Sequence, residues 1–331
     1  MNTEQWHPGT LLELSGYFWK TGTLHAAVKL DVFTAAGDQA FTAEELAAKL
    51  KVDNNGLERL LNALTAMTLL SKSGNKFSST PAARKFLSKA GDQYLGHIIM
   101  HHHHLVESWI HLDQAVKTGM PVRNRASFSD EEWRESFLMG MFNMAMAIAP
   151  RLVPLIDLGN RRHLLDLGGG PGTYAIHFCM KNPQLKASVF DLPTTRPFAE
   201  KTIKKFNLSD RIDFVDGNYL EDRIKGRFDV AWLSHILHGE GPQDCLKILK
   251  KTVAVLEPEG LIIIHDFLLH NSMDGPLFPA LFSLNMLLGT SSGQSYSEEQ
   301  IAAMLSHAGV KDIRRIPFES PNDSGIMIGA V

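Results

Sequence analysis

Cysteine is scarce in this chain: Cys179 and Cys245 are the only two in 331 residues. Two thiols cannot supply the disulfide framework of a small secreted domain. Excess charge of either sign is also missing. The 33 Lys and Arg against 36 Asp and Glu leave a net charge of −3, which argues against a generally basic binder of nucleic acid or anionic membrane. Uninterrupted apolar runs are short, as at 145–148 and 261–264, against the roughly 18 residues a membrane helix needs. A transmembrane transporter or receptor is therefore not expected. The opening MNTEQWHPGT lacks the basic and then apolar profile of a secretory leader, so a reducing cytoplasm is the expected location. What the chain does have is a 44% apolar share and enough length for two domains at about 150 residues each.

The pattern changes near residue 155. Before it the periodicity is helical; after it short β-branched runs alternate with amphipathic stretches. We expect a mainly α-helical domain over 1–155 and an α/β domain over 156–331. Thr42 three residues before Glu45 forms a capping box that opens a helix to Leu50. A turn at 53–56 follows, then Leu57, Leu60, Leu61, Leu64, Met67 and Leu70 at helical spacing, then a tight turn at 71–77. Helix, turn, helix and hairpin together spell a winged helix. Between residues 41 and 90 eight basic residues face four acidic ones. Yet the second helix carries only Glu58 and Arg59 as charges and a wide apolar stripe, which suits burial better than base readout. Dimerisation is the expected role, and no nucleic-acid or membrane partner is expected.

A long helix over 91–119 would carry His97, His101, His102, His103, His104 and His111. Consecutive residues point around a helix, so the run cannot converge on one ion, and no metal site is expected. The Met-rich stretch 137–146 reads as core that could also wall an apolar pocket.

The strongest chemistry starts at 163–175, where an apolar strand runs through Gly168, Gly169, Gly170 and Gly172 into a helix. Glycines let a backbone approach a ligand where a Cβ would collide. A dinucleotide fingerprint through Gly168 and Gly170 would need Gly or Ala at 173, and Thr173 stands there. Asp166 followed by G-G-G-x-G is instead the pattern of class I S-adenosylmethionine (SAM) methyltransferases. The next strand ends at Asp191, 19 residues after Gly172, where a carboxylate suits ribose hydroxyls. A third strand leads to Gly217, Asn218 and Tyr219, able to hydrogen-bond and pack against a base. A fourth strand ends at Ser234, followed by His235 and His238.

With these motifs in place, LLDLGGGPGTYA, FDLP at 190–193, DGNYL at 216–220, HILHGEGPQDCLKILKK at 235–251 and SSGQSYSEEQ at 291–300, the chain resembles the SAM-dependent small-molecule O-methyltransferases of the caffeate, hydroxyindole and polyketide-tailoring type. The resemblance spans nearly the whole chain. It implies a Rossmann-like class I methyltransferase domain, a seven-stranded sheet ending in an antiparallel hairpin, and a winged-helix domain that forms a homodimer. It implies SAM contacts at Asp166, Gly168, Gly170, Asp191, Leu192, Gly217, Asn218, Tyr219 and Ser234. Family members place a catalytic histidine seven residues before a cysteine, and counting back from Cys245 gives His238. Asp266, after the strand 261–264, matches the acid that flanks the base, and Glu240 could serve from the other side. Here Gly239 and Glu240 replace the family's usual acid and Trp. The resemblance further implies a pocket lid over 275–290, with Asn285, Met286 and Thr290 facing Phe137, Met141 and Phe142.

Chemically, a phenol with a pKa of about 10 is mostly protonated at neutral pH, and an imidazole near about 6.5 can accept its proton as the methyl group moves. The expected function is methyl transfer to a hydroxyl of a small aromatic molecule. An NAD-linked oxidoreductase and a winged-helix regulator with a non-catalytic SAM domain are the alternatives.

Overall fold

The computed structural model describes residues 6–91, 93–125 and 131–331. By spatial contact they fall into two compact units. One runs through Leu105 and takes in Glu135–Asn143; the other holds the rest. This is not a single cut near residue 155, because the helix Glu131–Leu152 contributes residues to both units.

In the first unit Thr42 caps the helix Ala43–Leu50: its Oγ1 accepts from the Glu45 amide at 3.2 Å while Glu45 accepts from the Thr42 amide at 2.7 Å. Residues 53–56, expected as a turn, are instead the cap and first turn of the next helix. Asp53 accepts from the Gly56 amide at 2.7 Å and starts Asn54–Ala66. Leu57, Leu61 and Leu64 of that helix are buried, as the spacing required. Strands β1 (Phe41–Thr42), β2 (Leu70–Ser73) and β3 (Lys76–Ser79) form an antiparallel sheet in the order β1-β3-β2, with Phe77 buried beneath it. The helix Pro8–Lys29 is different in kind: Leu12, Phe18 and Trp19 are 74%, 67% and 72% exposed.

The single helix expected over 91–119 is two, Gly96–Trp109 and Leu112–Thr118. His111 departs from helical geometry (φ −106°, ψ 16°) and breaks the ladder between them. The short-run argument against membrane helices also needs amending. Glu131–Leu155 is long and apolar enough by composition to cross a membrane, because Ser, Gly and Asn interrupt its runs without making it polar. Its Leu138, Phe142, Ile148, Ala149 and Leu152 are nevertheless buried in protein.

The second unit is built on β4 (His163–Leu167), β5 (Lys186–Asp191), β6 (Ile212–Asp216), β7 (Phe228–Ser234), β8 (Leu256–Leu269), β9 (Tyr296–Ser297), β10 (Lys311–Ile316) and β11 (Ser324–Ala330). The main path runs β10-β11-β8-β7-β4-β5-β6, with β9 pairing β8 off it. Strands β4 to β8 are parallel, and β11 lies antiparallel between β8 and β10. The inner strands carry almost continuous apolar sequence, as a sheet covered on both faces demands. Strand order reverses at β4, which opens a crevice at the carboxyl ends. Register then decides what lines it: Leu167 pairs Leu233, Asp191 pairs Asp216, and Ser234 pairs His265. β8 does not stop at His265 and Asp266 as the sequence suggested. Pairing of Phe267 with Ser324 and of Leu268 with Tyr296 carries it to Leu269.

Candidate active site

The turn after β4 holds Gly168, Gly170 and Gly172 at φ of +65°, +54° and +76°, a region L side chains rarely adopt. A Cβ on Gly169 would also sit 2.6 Å from the carboxyl carbon of Asp166. Asp166 is buried under the turn. Its Oδ2 accepts from the Ala175 amide at 3.1 Å, and its Oδ1 has no hydrogen-bond partner among the described residues. Burial pushes this carboxyl up to about 7, against the Ala175 bond and with help from Asp191. Asp191 accepts from the amides of Gly170 (2.8 Å) and Leu192 (2.6 Å) and from the Thr195 hydroxyl (3.2 Å), so it ties two loops together.

The remaining positions expected to hold the cofactor carry structural bonds. Gly217 donates to the Asp191 carbonyl at 2.9 Å. The Asn218 side chain accepts from the Leu220 amide at 2.9 Å, closing its own turn. The Tyr219 hydroxyl donates to Glu240 at 3.2 Å. Ser234 Oγ lies 2.9 Å from His265 Nδ1, whose Nε2 meets Ser324 Oγ at 2.9 Å. Both nitrogens of His265 are thus occupied in the core, and burial holds its pKa well below the usual range.

His238 sits in a short 3₁₀ turn, Leu237–Gly239, just past β7. Its Nδ1 lies 2.6 Å from Asp266 Oδ1, and its amide donates to Oδ2 at 3.3 Å. Asp266 Oδ1 also accepts from the Phe267 amide at 2.8 Å. Burial opposes ionisation of Asp266, but charge and hydrogen bonds from His238 and His235 outweigh it and hold the carboxyl well below the usual range. An ionised Asp266 accepts, so Nδ1 carries the proton and Nε2 keeps its lone pair. His235, at φ +56°, points Nδ1 toward the same carboxylate at 3.5 Å, too long for a strong bond. These three side chains bring ligand atoms within 4.8 Å of one another.

Sequence reasoning missed the aromatic wall here. The Phe282 ring stands edge-on to His238 at 4.7 Å, and Phe267 packs on His235 at 4.4 Å. In sequence these phenylalanines are indistinguishable from core. Arg125 was missed as well. It grips Glu240 with two bonds, Nη1 to Oε1 at 2.6 Å and Nη2 to Oε2 at 3.0 Å, and also donates to the Gly239 carbonyl. Glu240, expected as a partner of His238, therefore spends its buried carboxylate on Arg125 and Tyr219.

Asn285, Met286 and Thr290 lie at the end of the helix Leu277–Gly289 in the second unit. Asn285 Oδ1 accepts from Arg123 at 3.0 Å. The Thr290 hydroxyl donates to the Met286 carbonyl and accepts from the Gly293 amide, at 2.8 and 2.9 Å. Phe137, Met141 and Phe142 lie in the first unit, with the Phe137 ring 5.2 Å from His101 and Phe142 buried.

The strand order and the antiparallel β11 inserted beside β8 define a Rossmann-like class I methyltransferase. The chain belongs to the O-methyltransferase family: the model of the O-methyltransferase domain matches residues 107–311, and that of the O-methyltransferase dimerisation domain matches residues 12–89. It is 30% identical to a 3-hydroxy-5-methyl-1-naphthoate 3-O-methyltransferase of Streptomyces sahachiroi, over 97% of this chain and 95% of that protein. It is 28% identical to a tetracenomycin polyketide synthesis 8-O-methyl transferase of Streptomyces glaucescens, over 96% of each. The solved structure of an O-methyltransferase family protein from Burkholderia thailandensis superimposes with a TM-score of 0.87 at 26% identity, covering 98% of both chains. The NAD-linked and regulatory alternatives gain no support from these matches.

Proposed function

We propose that this protein transfers the methyl group of SAM to a hydroxyl of a small aromatic molecule, with His238 as general base and Asp266 fixing its tautomer. The observation that carries the reading is the 2.6 Å bond from His238 Nδ1 to a buried, ionised Asp266 at the carboxyl ends of β7 and β8.

The residues present fit the cofactor. Asp166 offers a buried carboxylate oxygen that lacks a donor, the glycine turn leaves open space beside Gly170, and Asp191 stands at the adjoining strand end. Asp166, the backbone of 168–170, Asp191 and the 217–219 turn would hold SAM, which supplies a methyl carbon activated by positively charged sulfur. A phenol with a pKa of about 10 needs a base at neutral pH, and Nε2 of His238 is the acceptor. The Asp266 carboxylate balances the imidazolium that forms, as in other base–carboxylate pairs. Phe282 and Phe267 give the imidazole an apolar wall that favours an aromatic acceptor and excludes water. The two relatives named above are, by their names, O-methyltransferases, which agrees with oxygen as the acceptor.

The exposed Leu12, Phe18 and Trp19 and the dimerisation match support a homodimer formed through the winged-helix region. Two free, buried cysteines fit a cytoplasmic location. Calorimetry with S-adenosylhomocysteine, NAD and duplex DNA, followed by mass spectrometry of hydroxylated aromatics incubated with SAM, tests the proposal. Binding of the first ligand alone and gain of one methyl group are expected; binding of NAD or DNA in its place would overturn it.

A further inference from the structure

Arg125 is neutralised by Glu240, but Arg123, two residues earlier, is not neutralised by anything described. Its guanidinium donates to Asn285 Oδ1 (3.0 Å), the Asn285 carbonyl (3.2 Å) and the Asn124 carbonyl (3.3 Å). All three are neutral acceptors, and the buried Nε has no hydrogen-bond partner among the described residues. Burial lowers this guanidinium to about 10, which leaves it charged at neutral pH without a counter-ion among the described residues. A half-buried cation so placed gains when an anion arrives, because the desolvation cost is already met.

Its position is built. The amides of Val122 and Arg123 both donate to the Leu288 carbonyl, which clips the backbone to the helix Leu277–Gly289. The guanidinium then lies over Gly289, where a Cβ would stand 2.4 Å from Nη1. Phe282, Asn285 and Gly289 are spaced i, i+3, i+7, so they share one face of that helix. Phe282 touches His238, while Asn285 and Gly289 touch Arg123. The candidate base and the unneutralised cation therefore stand along one helix face, about two turns apart at most.

We infer that Arg123 receives a carboxylate on the methyl acceptor, so that the substrate is an aromatic hydroxy acid and not a neutral phenol. The inference rests on reading the chain as an O-methyltransferase of aromatic hydroxyls. Arg is the side chain suited to this task, since its planar fork matches a carboxylate in two parallel bonds.

The test measures binding and methyl transfer separately, with the full-length protein and S-adenosylhomocysteine or SAM present. The probes are 3-hydroxy-1-naphthoate and its uncharged 1-carboxamide. We expect the acid to bind about ten- to a hundredfold more tightly than the amide, the range for a hydrogen bond to a charged group. Arg123→Met should collapse that ratio to near one, and Arg123→Lys should keep only part of it, since an ammonium carries the charge without the planar fork. Gly289→Ala supplies an independent variant: its methyl displaces a flexible side-chain end and no backbone, so it should lower the ratio without unfolding the protein. Equal affinity for acid and amide in the wild type, or a ratio unchanged by Arg123→Met, overturns the inference. Tight, Arg123-dependent binding of the acid without methyl transfer supports the carboxylate site and counts against the methyltransferase reading alone.

Discussion

His238 and Asp266, 28 residues apart in sequence, meet at 2.6 Å through Nδ1 and Oδ1, with the His238 amide secured to the second carboxylate oxygen. The ring is thereby held with one nitrogen protonated and the other free to accept. Asp266→Asn removes the charge and turns one of the two accepting oxygens into an NH2 donor, so the tautomer is no longer dictated. We expect a loss of about ten- to a hundredfold in kcat with little change in affinity for S-adenosylhomocysteine, a part of the about 10²–10⁴-fold that a positioned base supplies. Steady-state kinetics beside calorimetry separate the two effects.

On the proposed reading, Asp166 trades stability for binding. Its folded pKa, raised to about 7 by burial, exceeds the unfolded value of about 3.9, so its contribution is fully favourable below pH 4 and is lost as pH rises toward 7. Asp166→Asn should therefore raise the melting temperature of the ligand-free protein at pH 8 more than at pH 5. The same change should weaken S-adenosylhomocysteine binding. A melting temperature that falls equally at both pH values would contradict this account of the carboxyl.

Glu240 gives the opposite signature from Asp266. Arg125→Met would strand a buried carboxylate and should cost about 3 kcal/mol, the low end for breaking such a pair, because Arg125 remains 30% exposed. Glu240→Gln should be milder and should leave the shape of the pH–rate profile unchanged, since its carboxylate faces Arg125 and Tyr219 and not the base. Chemical denaturation and a pH series check both halves.

Phe18 and Trp19 present large apolar surface on one helix. The double variant Phe18→Glu, Trp19→Glu should shift sedimentation toward the monomer while the protein stays folded, because these side chains leave intrachain packing little changed when replaced.

The sequence made some of this legible and hid the rest for physical reasons. The capping box at Thr42, the glycine turn and the ends of β5 and β7 are set by neighbours within a few residues, so local spacing reveals them. His238 was marked by its distance from Cys245, and the fold explains that spacing: the Cys245 thiol folds back onto the Leu237 carbonyl at 3.2 Å. Arg125 and Glu240 lie 115 residues apart, and only closure of the chain aims the carboxylate away from His238. Phe282 could not be told from core because a ring packed beside His238 and a packed interior use the same residue type. The length of β8 was hidden because its last residues are held by β9 and β11, strands that come later in the chain.

The central claim is that His238 accepts the hydroxyl proton, and His238→Gln tests it most directly. Measured against a methyl acceptor of the wild type, this variant should bind S-adenosylhomocysteine with wild-type affinity and lose about a hundredfold or more in kcat. Turnover near the wild-type rate, with binding intact, would contradict the assignment and leave proximity as the source of catalysis.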